Sequence, residues 1–472
     1  MPYLLPFLLL ILLGATAPLP AAAESLPPRV ISALKNHQLD GSGLSVYVQA
    51  VDETEPLLSF NADVLRSPAS IIKVLTSYAA LDLLGPAFRW HTGVWVTGPV
   101  RNGRLEGDLI LRGGGDPSLT TERLWTMLRE IRALGITEIA GDLVIDDTLF
   151  ALNSERLGEL DRQPYRAYSA LPNAMLVNYN VVEFRIRRSD RVVNVHFDPP
   201  LDNFEVENRI TSRSGSCAGF QRGVAFALPQ GLEGRRAVLS GEFPTGCSEF
   251  TLWRAVMHPP QYTDALLRAL WRHLGGTIEG DLRLAPVPEN ARRILSYPSR
   301  PLAEQLREIN KWSNNVMTRH LLLTLGVERH GAPGNLEKGR ETLQAWLEDR
   351  GLAVPGTFID NGAGLSRRTR ITASMFGRML VDAWQHPYMP ELVASMPIAS
   401  VDGTLRNRFR GDTAGRMHLK TGRLDHVSAI AGIVTSRSGR RYAVVVIMNE
   451  PNAHQGSGEA VQDALLRWVV NL

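Results

Sequence analysis

An α/β (α+β) fold is predicted for this chain of 472 residues, and three textures along the sequence carry the prediction. A strand hairpin around residue 50 runs straight into a helix, between Arg66 and Pro86, that is apolar nearly all round. From about Trp90 to Pro286 the chain changes to short strands and Gly-rich turns and contains no lysine. Beyond Pro286 helices return, and the last hundred residues go back to strands before a final amphipathic helix. The length suggests about three domains and ample material for a large core. With 44% hydrophobic and 21% charged residues the composition is that of an ordinary soluble globular protein. A net charge of +3, with no basic patch interleaved with aromatics, gives no reason to expect a nucleic-acid partner.

Residues 1–23 carry no charged side chain, contain the apolar run Leu4 to Leu13 and end Ala21-Ala22-Ala23 before Glu24. This is the pattern of a secretory signal peptide with a small-residue cleavage site, and it predicts a protein that is periplasmic or otherwise exported after cleavage. The alternative is an uncleaved anchor, disfavoured by the shortness of the apolar core; no other stretch is long and apolar enough to span a membrane. Next, Gly43 to Val51 alternates, with Leu44, Val46 and Val48 on one face and Ser45, Tyr47 and Gln49 on the other. Leu57 to Phe60 completes the hairpin.

In the helix that follows, Ser67 is placed to cap, Pro68 suits the first position and Gly85-Pro86 stops it. Ser70 and Lys73 stand three residues apart on one face of its first turns. Burial disfavours the charged form of an amine and turns it into a base, so Ser-x-x-Lys reads as a nucleophile with its activator. Lysine usage adds to this. The chain holds five lysines, Lys35, Lys73, Lys311, Lys338 and Lys420, against 46 arginines. Arginine cannot give up its proton near neutral pH and lysine can, so lysines that survive such a bias mark positions needing an amine.

In the β-textured stretch, Gly107-Asp108-Leu109, Gly141-Asp142-Leu143 and Gly280-Asp281-Leu282 echo one another, as strands of a supersecondary unit used more than once. Gly113-Gly114-Gly115-Asp116-Pro117 lacks the Gly-Lys-Ser/Thr ending of a phosphate loop and reads as a tight turn. Cys217 and Cys247, the only cysteines, read as one disulfide in an exported protein. Downstream, Trp312-Ser313-Asn314-Asn315 breaks a helical run and offers a hydroxyl and a side-chain amide, with Ser313 placed to cap the next helix. Lys420-Thr421-Gly422, in a strand, combines an ammonium, a hydroxyl and a residue with no side chain to block a ligand.

Ser70-x-x-Lys73, Ser313-Asn314-Asn315 and Lys420-Thr421-Gly422 in this order form the triad of motifs of β-lactamases and penicillin-binding proteins. The chain resembles the class C penicillin-binding proteins, the D-alanyl-D-alanine carboxypeptidase/endopeptidases of bacterial cell-wall metabolism. The likeness extends to Gly113 through Pro117, Gly141 through Asp147, Asn361-Gly362-Ala363-Gly364-Leu365-Ser366 and Asp402-Gly403-Thr404-Leu405. The 240 positions between Lys73 and Ser313 are too many for one helical subdomain, so something is inserted. The resemblance implies a penicilloyl-serine transferase (β-lactamase/transpeptidase-like) catalytic domain made of residues 24–90 and 287–472, with two β-rich domains inserted as 91–286.

By the same resemblance Ser70 is the acylated nucleophile, Lys73 its base, and Ser313 a proton relay to the leaving amine. Asn315 binds the substrate backbone, Lys420 holds positive potential over the site, and Thr421 binds the terminal carboxylate. The backbone N–H groups of Ser70 and Arg423 form the oxyanion hole. Arg423 follows Gly422 where the family usually has Ser or Thr. The implied ligands are peptidoglycan muropeptides ending in D-Ala-D-Ala, with β-lactams as inhibitors and no metal or organic cofactor. A β-lactamase, or a non-catalytic peptidoglycan-binding or penicillin-sensing protein, are the alternatives.

Overall fold

The computed structural model describes residues 25–152, 162–189, 192–218 and 223–472. The expected signal peptide, residues 1–23, lies outside them. Among the described residues no helix is long and apolar enough to cross a membrane.

One antiparallel sheet joins the two ends of the chain. Its order is Met417–Leu424, Val427–Thr435, Arg441–Asn449, Leu44–Ala50 and Leu58–Phe60. Because successive side chains alternate faces, both faces can carry a core. Tyr47, Ala431, Val445 and Ile447 pack with the Ile72–Leu84 helix and the helices after residue 300. Val46, Val48, Val444 and Val446 pack with the helices Pro28–Asn36 and Ser457–Val470. Burial on both sides explains why the Leu44–Ala50 strand is buried at every position although half its face is polar. Ser45 and Gln49 are satisfied inside, Ser45 Oγ donating to Asn61 O at 2.6 Å and Tyr47 Oη donating to Gln49 Oε1.

The Ser70 segment is not one helix. A 3₁₀ turn, Ala69–Ile71, precedes the α-helix Ile72–Leu84, and Ala69 sits at φ +46°. Ser67 does not cap: its hydroxyl is buried without a partner among the described residues, while its backbone N–H and C=O are taken by the side chain of Asn449 at 2.8 and 3.0 Å. Gly85, at φ +78°, ends the helix as its sequence predicts. The Ile72–Leu84 helix is buried from Ile72 through Leu81, as expected of one apolar all round.

The middle of the chain builds its own core. The three Gly-Asp-Leu echoes lie side by side as parallel strands, Leu109 opposite Leu143 and Leu143 opposite Leu282. Asp108 Oδ1 accepts from Asp142 N at 2.9 Å and Asp142 Oδ1 from Asp281 N at 3.0 Å, so each aspartate registers the next strand. His91–Val96 and Arg292–Pro298 complete that sheet, which therefore closes beyond the expected boundary at 286. Two three-stranded sheets lie between residues 182 and 254. A single apolar cluster from Val94 to Tyr297 unites these sheets with the helices Thr121–Ala133 and Pro259–His273. Cys217 and Cys247 are bonded, with Cα atoms 4.8 Å apart.

This middle part is tied to the Asn315–His330 helix by His320. Its Nδ1 lies 3.0 Å from Gly115 O, in the Gly113–Pro117 turn, and its Nε2 accepts from Asn173 N at 3.3 Å. An acceptor on one side and a donor on the other fix a neutral imidazole protonated at Nδ1. Burial agrees, pushing its pKa down to about 4.

Candidate active site

Ser70, Lys73, Ser313, Asn315, Lys420, Thr421, Gly422 and Arg423 converge at the edge strand Met417–Leu424. Closeness there depends on glycine. A Cβ on Gly422 would stand 2.7 Å from Pro68 O and 3.0 Å from Ser70 N, so only a bare backbone lets this strand pass the nucleophile turn. From the other side Gly364, at φ +76°, approaches the same turn; a Cβ there would stand 2.0 Å from Ala69 O.

Lys73 is fully buried, and its Nζ has three neighbours. Ser70 Oγ lies at 3.1 Å, Asn315 Oδ1 at 2.7 Å, and the carbonyl oxygen of Ala363 also lies in hydrogen-bond contact. The orientation of the Asn315 amide follows from its other end, where Nδ2 donates to Tyr168 O at 3.1 Å. Asn315 Oδ1 and Ala363 O can only accept. A neutral amine has two N–H groups and one lone pair; the two acceptors take the N–H groups, and the lone pair is left for the Ser70 hydroxyl. Desolvation, followed by the nearby Lys420 charge, holds the Lys73 pKa well below the usual lysine value, and so favours this neutral form.

Lys420 is equally buried. Its Nζ donates to Ser313 Oγ at 2.9 Å and to Thr421 O at 2.7 Å, and desolvation lowers its pKa to about 7. Ser313 reaches this position because its backbone turns left-handed at φ +57°. It does not cap the following helix. Asn314 does, accepting from Met317 N at 3.1 Å, and Ser313 is left to face Lys420.

Thr421 Oγ1 lies 3.0 Å from Thr404 Oγ1. Lys311, the third lysine near the motifs, explains how Thr404 is placed. Its buried Nζ donates to Asp402 Oδ2 at 2.6 Å and to Met396 O at 2.9 Å, which pins the Asp402-Gly403-Thr404 loop. Lys311 therefore holds the site's wall rather than reacting. Arg423 is exposed and its guanidinium donates to His454 O, at 2.7 Å from Nε. A cavity of about 300 Å³ opens over these groups, with Ser70, Ser313, Asn315, Tyr168, Arg367 and Arg423 in its lining.

Sequence reasoning assigned no role to the Ala363 carbonyl, the Tyr168 carbonyl, Thr404 or Lys311. The Gly362-Ala363-Gly364 run signals a close backbone approach, but a carbonyl has no side-chain signature. Tyr168 is supplied by the middle part of the chain, far from every motif in sequence.

A serine on a 3₁₀ turn beside a buried lysine whose pKa burial lowers, under an edge strand carrying a second lysine, is equipped for acyl transfer. Comparison with known proteins agrees in class. The family described as D-Ala-D-Ala carboxypeptidase 3 (S13) matches residues 28–472. The chain is 31% identical over 490 residues to a D-alanyl-D-alanine carboxypeptidase of Actinomadura sp. (strain R39), covering 98% of this chain and 88% of the relative. It is 24% identical over 428 residues to D-alanyl-D-alanine carboxypeptidase DacB of Haemophilus influenzae, covering 89% and 88%. Among solved structures, penicillin-binding protein 4 of Haemophilus influenzae superposes with a TM-score of 0.79 at 22% identity, covering 94% of this chain and 99% of that one, and shares the fold. The protein therefore belongs to the D-Ala-D-Ala carboxypeptidase 3 (S13) family and is a peptidoglycan-directed D-Ala-D-Ala carboxypeptidase.

Proposed function

We propose that the reaction runs through an acyl-enzyme on Ser70. The single observation that carries this is the fully buried Lys73 Nζ, its pKa lowered by burial, 3.1 Å from Ser70 Oγ. Ser70 Oγ attacks the penultimate D-Ala carbonyl and its proton passes to Lys73 Nζ. The oxyanion is held by the backbone N–H groups of Ser70 and Arg423, and Ser313 gives its hydroxyl proton to the leaving D-Ala amine and takes one from Lys420 Nζ, which donates to it. Water then releases the shortened peptide from Ser70. Met417 O and Leu419 N on the outer edge of the Met417–Leu424 strand are already bonded to Ala399 N and Pro397 O, so the substrate backbone pairs with that edge from Thr421 onward, in the manner of strand addition. Asn315 Nδ2, now on Tyr168 O, is the donor that a substrate carbonyl would take over.

The substrates in this reading are muropeptides ending in D-Ala-D-Ala, cross-linked ones included, in the periplasm after cleavage of residues 1–23. β-Lactams acylate the same serine. The catalytic domain consists of the segments before residue 91 and after the Arg292–Pro298 strand, because that strand pairs with His91–Val96. Thr421 and Arg423 bind the terminal carboxylate. Arg423→Ala then raises KM for carboxylate-terminated peptides more than for their amides; equal effects would reduce Arg423 to a brace for the loop at His454.

The test is mass spectrometry after incubation with a D-Ala-D-Ala peptide and, separately, with penicillin. A peptide product together with a persistent penicilloyl adduct on Ser70, lost in Ser70→Ala, is expected. Rapid turnover of the penicillin adduct would indicate a β-lactamase, and no adduct or product from either would indicate a binding protein.

A further inference from the structure

The strands Met417–Leu424 and Val427–Thr435 are joined by the two-residue turn Asp425-His426, in which His426 sits at φ +65°. Against this turn lies the segment Asn452 to Gln455, which connects the strand Arg441–Asn449 to the final helix.

Two imidazoles stitch turn and segment together in opposite senses. The backbone N–H of His426 donates to His454 Nδ1 at 2.9 Å, and the backbone N–H of Asn452 donates to His426 Nδ1 at 3.1 Å. A backbone N–H can only donate, so both Nδ1 atoms carry lone pairs and both rings hold their proton on Nε2. The rings meet edge to face, with centres 5.6 Å apart.

This clamp fixes the carbonyl on which Arg423 rests. Arg423 Nε and Nη2 both donate to His454 O, the Nε bond at 2.7 Å. That contact occupies one side of the planar guanidinium. Its end, between Nη1 and Nη2, stays open, and this edge can take a carboxylate through two parallel hydrogen bonds. No carboxylate among the described residues pairs with Arg423. Its neighbour Asp425 is held by Arg367 instead, which donates to Asp425 Oδ2 at 2.9 Å and to Asp425 O at 3.0 Å. Alternation along the strand puts Arg423 on the same face as Thr421.

We propose that His454, clamped to His426, is a positioning residue that presents Arg423 to the terminal carboxylate of the substrate. An exposed arginine at the end of an edge strand otherwise has many rotamers, and ordering such a side chain on binding costs about two- to tenfold in affinity. Here it is ordered beforehand by His454 O. The inference rests on the reading of Arg423 as a ligand of the terminal carboxylate.

Steady-state kinetics on the full chain test it, with a peptide ending in D-Ala-D-Ala and its C-terminal amide as paired substrates and thermal melts to confirm folding. The readout is the ratio of the KM of the acid to that of the amide. His454→Leu removes the acceptor for the His426 N–H and is expected to raise this ratio about fivefold. His426→Leu, which breaks the other half of the clamp, does the same. His454→Asn, whose Oδ1 can replace Nδ1 as acceptor, restores the ratio, which a role in packing alone would not allow. In an Arg423→Ala background His454→Leu adds nothing. Three results overturn the clamp while leaving Arg423 as the carboxylate ligand: a ratio raised by Arg423→Ala but not by folded His454→Leu and His426→Leu, no recovery in His454→Asn, or an equal effect of His454→Leu with and without Arg423. A ratio unchanged in Arg423→Ala itself would remove the carboxylate reading, and the clamp's role with it.

Discussion

Two glycine substitutions separate backbone strain from contact at the nucleophile. Gly364 and Gly275 adopt nearly the same backbone torsion, φ +76° and +77°. Placing a side chain at such a φ costs of order 1–3 kcal/mol by itself. For Gly275→Ala that is the whole effect, since a Cβ there meets nothing within 4 Å. For Gly364→Ala the Cβ would lie 2.0 Å from Ala69 O and 2.9 Å from Ser70 N, against the 3.4 Å at which ordinary contact begins. The loop or the Ser70 turn must retreat by about 1 Å, and overpacking of this kind adds about 1–3 kcal/mol. The retreat also takes Ala363 O away from Lys73 Nζ and opens the 3.1 Å approach of Lys73 to Ser70. A displacement of about 1 Å in a reacting pair costs on the order of a hundredfold in rate. The assay is the second-order rate of acylation by a fluorescent penicillin, with thermal melts of both variants. Gly275→Ala is expected to melt lower and acylate normally, Gly364→Ala to melt lower still and acylate roughly a hundred times more slowly. Acylation of folded Gly364→Ala within threefold of the unsubstituted rate would refute the claim that the Gly364 loop positions the base.

Lys73→Arg keeps a positive charge but cannot accept the Ser70 proton, because its pKa lies above about 12; acylation should fall by at least roughly a hundredfold, and a folded variant acylating normally would make position 73 a source of charge alone. Lys420, with a pKa of about 7, is charged below that pH and neutral above it, so acylation by carboxylate-bearing ligands should decline as the pH rises through 7. A flat profile from pH 6 to 9 would remove the charge from its role. His320 is held neutral, its folded pKa near 4 against 6.5 when unfolded, so between those values the unfolded chain binds more protons and stability rises with pH. Melts should show a loss that is absent above pH 6.5 and reaches about 3 kcal/mol at pH 4, and that is largely removed in His320→Gln. An equal acid sensitivity in that variant would place the titration elsewhere.

Local rules determined a good deal of this protein before any tertiary contact was known. The apolar circumference of the Ser70 helix, its stop at Gly85, the three-residue spacing of Ser70 and Lys73, and the three Gly-Asp-Leu strands all follow from periodicities and turn chemistry that act over a few residues. The scarcity of lysine singled out Lys73, Lys311 and Lys420 without showing that Lys311 braces a loop while the other two lie, buried, against Ser70 and Ser313. Capping is where local reasoning failed. Ser67 and Ser313 look like caps, yet tertiary contacts place Ser67 against Asn449 and turn Ser313 towards Lys420, leaving Asn314 to cap. The orientation of Asn315 depends on the Tyr168 carbonyl, and the state of Lys73 on the Ala363 carbonyl 290 residues away. Neither could be read from the sequence, because a backbone carbonyl is the same in every residue. Which carbonyl reaches the amine is decided when the Gly362–Gly364 loop and the middle part of the chain pack against the catalytic helices, and burial then lowers the lysine pKa that the chemistry requires.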